Sequence, residues 1–97
     1  MLFANKIKQL REERGLLQRQ LAAALEIDTP MYSKIERGDR RAKREQVVII
    51  AKLLHADEKE LLTLWLAEQV AAVVADEKEI ADRALNIVKE KIKKTVS

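Results

Sequence analysis

The chain has 97 residues, of which 47% are hydrophobic and 36% charged, with two glycines and one proline. This size and composition are typical of one folded, helix-favouring domain and exclude a largely disordered protein. The lack of cysteine and the single histidine, His55, argue against thiol chemistry and a zinc cluster, so we expect neither a metal nor a cofactor. No apolar run exceeds six residues and the amino terminus becomes charged at Lys6, so we expect no membrane span or secretion signal, and a cytoplasmic protein.

The net charge of +3 is unevenly distributed along the chain. Residues 1–55 contain twelve Lys/Arg against seven Asp/Glu, a net charge of +5, whereas residues 56–97 contain seven against nine, a net charge of −2. A positive first half suits a polyanionic partner, because Lys and Arg release the counterions of the phosphates they neutralise. Charge alone would favour an ordinary solvated surface over such a partner.

Helical spacing of apolar residues defines the first two elements. Phe3, Ile7 and Leu10 predict a helix over residues 4–14 that ends near Gly15, whose missing Cβ permits a left-handed stop. Leu21 and its apolar neighbours predict a short second helix over residues 18–25, in a stretch without β-branched residues.

Start and stop signals define the third helix. Asp28 can cap a helix start, Pro30 is tolerated in the first turn, and Gly38 can cap the far end, so we predict a helix over residues 29–37. A basic, irregular connection follows it. Apolar residues between 47 and 54 then predict a fourth helix over residues 44–54.

The string Ala-Asp-Glu-Lys-Glu occurs at residues 56–60 and again at 75–79. Each copy contains a capping box, Asp57 with Glu60 and Asp76 with Glu79, so each predicts a helix start. The fifth helix would cover residues 58–75 and the sixth residues 77–94, with a continuous helix kinked at Asp76 as the alternative. Strand signals are absent, and the predicted fold is all-α.

The third predicted helix has two contrasting sides. On a helical wheel its polar or short residues fall within an arc of about 140°, and its large apolar residues fall on the opposite arc. The polar arc comprises Thr29, Pro30, Ser33, Lys34 and Arg37. A helix that exposes such a face after a tight crossing can lie in a DNA major groove.

Four groups of residues share a spacing with a known family: residues 10–15 (LREERG), Gln18 with 21–22 (LA), 33–38 (SKIERG), and 50–51 with 53–54 (IA and LL). From about Ile7 to Leu62 the chain resembles the helix-turn-helix family of phage repressor and Cro proteins, also called the xenobiotic-response-element family. The resemblance implies a five-helix, repressor-like DNA-binding domain over residues 1–75. Residues 76–97 would then form an appended sixth helix that serves dimerisation.

The resemblance also implies roles for single residues. Thr29, Pro30 and Lys34 occupy base-reading positions, and a lysine can donate to guanine O6 and N7. Gln18 would brace a DNA phosphate and the start of the recognition helix. The expected phosphate contacts are Gln18, Arg19, Ser33, Arg37, Arg40, Arg41, Lys43 and Arg44. Arg11 and Glu36 match positions that pair as a structural ion pair, which would tie the first helix to the end of the third.

Three positions depart from the family pattern. Leu17 stands where the family usually has Ser or Thr, so the usual cap of the second helix is missing. Glu26 stands where it usually has Gly, so the turn is reshaped or the second helix extended. Pro30 replaces a residue that often hydrogen-bonds a base, which leaves fewer polar base contacts.

The fifth predicted helix is apolar on nearly all sides, so it carries more apolar surface than one core can cover. We therefore expect a homodimer whose interface is formed by the fifth and sixth helices, with a six-helix monomer as the alternative. The expected interface residues are Leu62, Trp65, Leu66, Val70, Val73, Val74, Ile80 and Ile87.

These features favour sequence-specific DNA binding and transcriptional regulation, with repression from an inverted-repeat operator, in a bacterial or phage-type context. The alternatives are an antitoxin or other interaction module that binds a toxin as well as DNA, and a controller of a restriction-modification system. An enzyme is not expected, because Gly15 and Gly38 stand alone and no serine is placed near a base.

Overall fold

The computed structural model describes residues 2–96, which form six α-helices and no strand. The helices are α1 (Leu2–Glu13), α2 (Gln18–Leu25), α3 (Thr29–Arg37), α4 (Arg44–Leu53), α5 (Glu58–Val74) and α6 (Ala81–Val96). The predictions of an all-α fold and of a sixth helix after the helix-turn-helix unit are therefore confirmed. Met1 begins the expected DNA-binding domain, residues 1–75, and Ser97 ends the expected dimerisation segment, residues 76–97. Both residues lie outside the described residues.

Helices α1 to α5 enclose one apolar core. In it α2 packs on α3 and α4, α1 packs on α3 and α5, and α4 packs on α5. The largest fully buried side chains are Ile7, Leu21, Tyr32, Ile35, Val47, Ile50, Leu54 and Leu61. Burial of an aliphatic side chain of this kind contributes about 1.5–3 kcal/mol, so these contacts hold α2 and α3 in a fixed crossing.

Local caps hold α3 and α5 at their predicted starts. The Asp28 side chain accepts a hydrogen bond from the Met31 N–H at 2.8 Å, and Gly38 ends α3 with a φ of 79°. The Asp57 side chain accepts from the Glu60 N–H at 3.0 Å. The Glu60 carboxylate lies 4.0 Å from Lys6 Nζ on α1, so it serves an interhelical contact and only one half of the predicted capping box forms.

The two departures around α2 are accommodated differently. At the start of α2, Gln20 Oε1 accepts from the Leu17 N–H at 2.7 Å, while the Leu17 side chain offers no acceptor. At the end, Glu26 adopts a left-handed conformation with φ 59° and donates its N–H to Ala23 O. The turn therefore keeps the shape that glycine favours, α2 is not extended, and Glu26 carries the steric cost of that conformation.

The second copy of the repeated string does not start a helix. Residues 75–80 form turns in which the Glu77 N–H donates to Val74 O at 3.0 Å. The first helical bond of the next element runs from Ala81 N–H to Glu77 O at 2.8 Å, and α6 begins at Ala81. The predicted start at residue 77 was therefore wrong by four residues, and a continuous kinked helix is also excluded.

Within the described part of the chain, helix α6 adds no residue to the buried core. Its side chains from Ala81 to Thr95 are exposed or half-buried. None of the described helices combines the length and the apolarity that crossing a bilayer requires.

Candidate nucleic-acid interface

Helix α3 turns its polar arc outward. Thr29, Pro30, Lys34 and Arg37 are exposed and Ser33 is half-buried. The opposite side is fixed in the core by the buried residues Tyr32, Ile35 and Glu36. The face that the helical wheel assigned to DNA is therefore clear of the other helices.

The cations on this face differ in how they are held. Arg37 Nε lies 3.1 Å from Asp39 Oδ2, and Arg37 Nη1 donates to Ser33 Oγ at 3.1 Å. Ser33 accepts that bond, so its own hydroxyl proton remains available to a further acceptor. Lys34, in contrast, forms no ion pair with any of residues 2–96, and its ammonium group faces solvent.

A buried ion pair joins α1 to the end of α3. Arg11 Nε donates to Glu36 Oε2 at 2.7 Å and Arg11 Nη2 donates to Glu36 Oε1 at 3.1 Å, a two-pronged contact. Arg11 Nη1 also donates to Leu16 O at 2.9 Å. The side chains of Arg11 and Glu36 are only 11% and 2% exposed, so solvent screens this pair little.

Gln18 belongs to the same network. Its Nε2 donates to Glu36 Oε1 at 3.1 Å, so its amide lies at the carboxyl end of α3. The expectation that Gln18 braces the start of the recognition helix is therefore wrong. The buried carboxylate of Glu36 needs donors on both oxygens, and Gln18 supplies one of them.

The network perturbs the ionisation of its members. Burial alone would raise the pKa of the Glu36 carboxyl, but the hydrogen bond from Arg11, the nearby Tyr32 hydroxyl, the hydrogen bond from Gln18 and the charge of Arg11 together outweigh it and hold that pKa below its usual value. The hydrogen bond to Glu36 raises the pKa of Arg11. Burial raises the pKa of the Tyr32 hydroxyl and the nearby Glu36 raises it further, yet among residues 2–96 this hydroxyl meets no partner with hydrogen-bond geometry.

The basic segment after α3 is anchored by a residue that sequence reasoning placed elsewhere. Arg40, Arg41, Lys43 and Arg44 are all exposed, whereas Ala42 between them is 2% exposed. The indole Nε1 of Trp65 donates to Ala42 O at 2.8 Å. The small apolar residue within a run of cations was the available signal, because it marks the point where the chain turns into the core.

Two of the expected interface residues are used inside the chain. Leu62 and Trp65 are half-buried and pack against the core, so only part of each side chain is accessible to a partner. The other expected positions are more accessible. Leu66, Val70, Val73, Ile80 and Ile87 are between 42% and 80% exposed, and Val74 is half-buried.

Comparison with known proteins places most of the chain in one family. A family model described as a helix-turn-helix domain matches residues 2–64, which include α1 to α4 and the start of α5. The comparisons with curated proteins and with solved structures find no match. Members of the matched family bind DNA and typically catalyse no reaction. The chain therefore belongs to the helix-turn-helix domain family of DNA-binding regulators.

Proposed function

We propose that this protein is a Cro-type, sequence-specific regulator that represses transcription by occupying promoter DNA as a homodimer on an inverted repeat. The observation that carries the proposal is the exposed face of α3, on which Lys34 stands without an ion-pair partner among residues 2–96. A short, cationic helix face backed by a rigid core can enter a major groove without rearrangement.

The base-reading residues are those at the exposed start and middle of α3. Lys34 donates to guanine O6 and N7, and the methyl of Thr29 or the ring of Pro30 meets a thymine methyl. Asp28 and Gly38 fix the two ends of the helix, so these three side chains project from a preorganised element.

Phosphate contacts flank the base-reading residues on both sides. Arg19 and the second amide hydrogen of Gln18 lie at the start of α2, and the Ser33 hydroxyl and the remaining Arg37 nitrogen lie on α3. The segment after α3 adds Arg40, Arg41, Lys43 and Arg44. Contacts of this type orient the protein on DNA without reading sequence.

The apolar surface of the second half supports dimerisation. Leu66, Val70 and Val73 follow one another at helical spacing on the exposed side of α5, and Val73 is 80% exposed. Val74 beside them is half-buried, and beyond the end of α5 the side chains of Ile80 and Ile87 are 53% and 70% exposed. Exposed apolar side chains in this number favour a partner that covers them. We assign residues 1–75 to DNA binding and residues 76–97 to a dimerisation appendage that places two α3 helices about 34 Å apart.

Selection of bound sequences from a random DNA pool tests the base-reading assignment. A palindromic consensus is expected, and Lys34→Ala should lose discrimination at one symmetric pair of base positions while keeping weak binding. Lys59→Ala, which removes an exposed lysine at the start of α5, is the matched control and should keep the consensus. Equal weakening on all sequences would instead make Lys34 a phosphate contact.

Salt titration tests the phosphate contacts. Replacing Arg40 and Arg41 together by alanine should reduce the log–log salt slope by about 1.8, at about 0.9 per phosphate, and leave the preferred sequence unchanged. An unaltered slope would remove both residues from the phosphate contacts.

Sedimentation tests the dimer. The unmodified protein should sediment as a dimer, and Val73→Glu should sediment as a folded monomer, because a buried carboxylate is costly in an apolar interface. A monomer in the unmodified protein would refute the homodimer. A stoichiometric second protein that co-purifies and is lost with Val73→Glu would favour the antitoxin function.

A further inference from the structure

An open groove of 580 Å³ lies between the start of α1, the segment after α3 and the last turns of α5. We call it the α1–α5 groove. Its lining residues include Phe3 and Trp65 and the small residues Ala71, Ala72 and Ala75. Its volume lies within the range of about 300–1,000 Å³ that is typical of small-molecule sites, and such sites are likewise mostly apolar.

The polar groups next to the aromatic walls are already satisfied within the chain. The Phe3 N–H donates to Glu68 Oε1 at 2.6 Å, and the Trp65 indole donates to Ala42 O at 2.8 Å. The first bond occupies one oxygen of the Glu68 carboxylate, and the second fixes the orientation of the Trp65 indole. The interior of the groove therefore offers apolar surface, with little left to hydrogen-bond.

Two cations line the edge of the groove on the side of the DNA-binding surface. Arg40 and Arg41 both line it, both are exposed, and within the described part of the chain neither forms an ion pair. The ionisable residues that line the groove are these two arginines and one glutamate, Glu68, so the lining carries a net charge of +1 and complements a molecule with an apolar body and one anionic end.

We propose that the α1–α5 groove binds a small amphipathic anion, an apolar chain or ring that carries a carboxylate, and that the bound anion competes with DNA for Arg40 and Arg41. The competition rests on the proposed function, whereas the binding site itself does not. Ile35 and Gly38, at the end of α3, line the same groove, so an occupant would contact both the recognition helix and the phosphate-binding segment.

Charge disfavours α6 of a second copy as the occupant. Residues 81–96 contain five basic and two acidic side chains, so this helix would bring a net positive charge to the two arginines. An anion brings the opposite charge and needs only the apolar surface that the groove offers.

The fluorescence of Trp65 can report ligand binding directly, because Trp65 is the only tryptophan in the chain and lines the groove. Titration of the full chain with decanoate, below its micelle concentration, should change the Trp65 fluorescence in a saturable way. Decyltrimethylammonium, which has the same chain and the opposite charge, should bind more weakly. Equal binding of the two would overturn the anionic class of ligand.

Two matched variants locate the site. Ala72→Leu fills the groove from an exposed position of α5 and should abolish the response to decanoate. Ala67→Leu adds the same side chain at an exposed position of α5 that does not line the groove, and it should respond as the unmodified protein does. An unchanged response in Ala72→Leu would place the ligand elsewhere and refute the proposal.

A charge-matched pair of double variants tests the edge of the groove. Replacing Arg40 and Arg41 by glutamine should weaken decanoate binding about threefold, as expected for the loss of exposed ionic contacts. Replacing Lys43 and Arg44 by glutamine, which removes the same charge outside the groove, should leave decanoate binding unchanged. Equal effects of the two double variants would refute a specific role for the two arginines.

DNA binding separates this proposal from the proposed function. Decanoate should lower the affinity of the unmodified protein for its selected DNA, and Ala72→Leu should bind that DNA with an affinity that decanoate does not change. A saturable fluorescence response in a protein that selects no DNA would support the ligand site in the α1–α5 groove and refute the proposed function as a DNA-binding regulator. Selective DNA binding without any fluorescence response to decanoate would refute the ligand site in the α1–α5 groove. Fluorescence that changes with protein concentration alone, together with dissociation of the dimer in Ala72→Leu, would show that a second copy fills the groove and would overturn the proposal.

Discussion

Arg11→Ala should lower the free energy of unfolding by about 3–5 kcal/mol, because it strands a carboxylate that is only 2% exposed. The variant removes two donors from Glu36 and, among residues 2–96, leaves it the hydrogen bond from Gln18 Nε2. Glu36→Ala should cost less, near the lower end of that range, because Arg11 is 11% exposed and keeps its bond to Leu16 O. An exposed pair would contribute only about 0–1 kcal/mol, so the measurement distinguishes a buried ion pair from an exposed one.

Urea denaturation at neutral pH measures these differences, and a double variant isolates the interaction. Replacing Arg11 and Glu36 together by methionine should restore most of the loss, because a buried ion pair replaced by apolar side chains of similar volume is often neutral or stabilising. The coupling free energy in the cycle with the two single methionine variants should therefore be several kcal/mol. Single losses below about 1 kcal/mol with no coupling would refute the claim that this pair is desolvated.

Three further predictions concern the same helices. Tyr32→Phe should leave the free energy of unfolding unchanged or raise it by about 1 kcal/mol, because the buried hydroxyl has no hydrogen-bond partner in the described part of the chain; a clear loss in urea denaturation would indicate a bond to Glu36. Glu26→Gly should raise the free energy of unfolding by about 0.5–1 kcal/mol, because glycine adopts the left-handed conformation without steric cost. Glu26→Ala, measured in the same way, should not raise it. The pKa of Glu36 is lowered in the folded protein, so its ionisation stabilises fully above the ordinary value of 4.5 and less as the pH falls through the folded pKa. The stability advantage over Glu36→Gln should therefore shrink below pH 4.5 in denaturation series, and a constant difference would contradict the lowered pKa.

The extents of α2 and α3 were predictable because the signals act within one turn. Asp28 bonds the N–H three residues ahead, and Gly38 ends the helix through its own backbone conformation. The second copy of the repeated string shows the limit of such signals. Asp57 lies next to α1, where Lys6 approaches Glu60, and there the cap forms. Asp76 follows the exposed end of α5, and within the described part of the chain its side chain caps no backbone N–H.

The sequence indicated which residues to include in the candidate site, but not which contacts hold them in place. The run of cations after Gly38 is visible in the sequence. The hydrogen bond that anchors it joins Trp65 to Ala42, 23 residues apart, and no local pattern links these two positions. Gln18 was assigned to the wrong end of α3 for the same reason, since its partner is set by how α2 crosses α3.

The amino-acid sequence by itself determined the helical class, the polar side of α3 and the basic segment that follows it, because periodicity, capping and charge depend on near neighbours in the chain. Only the tertiary structure decided which groups are desolvated: the Arg11–Glu36 pair, the Tyr32 hydroxyl, and the groove beside Arg40 and Arg41. Desolvation depends on every helix that surrounds a group, and those helices come from distant parts of the chain.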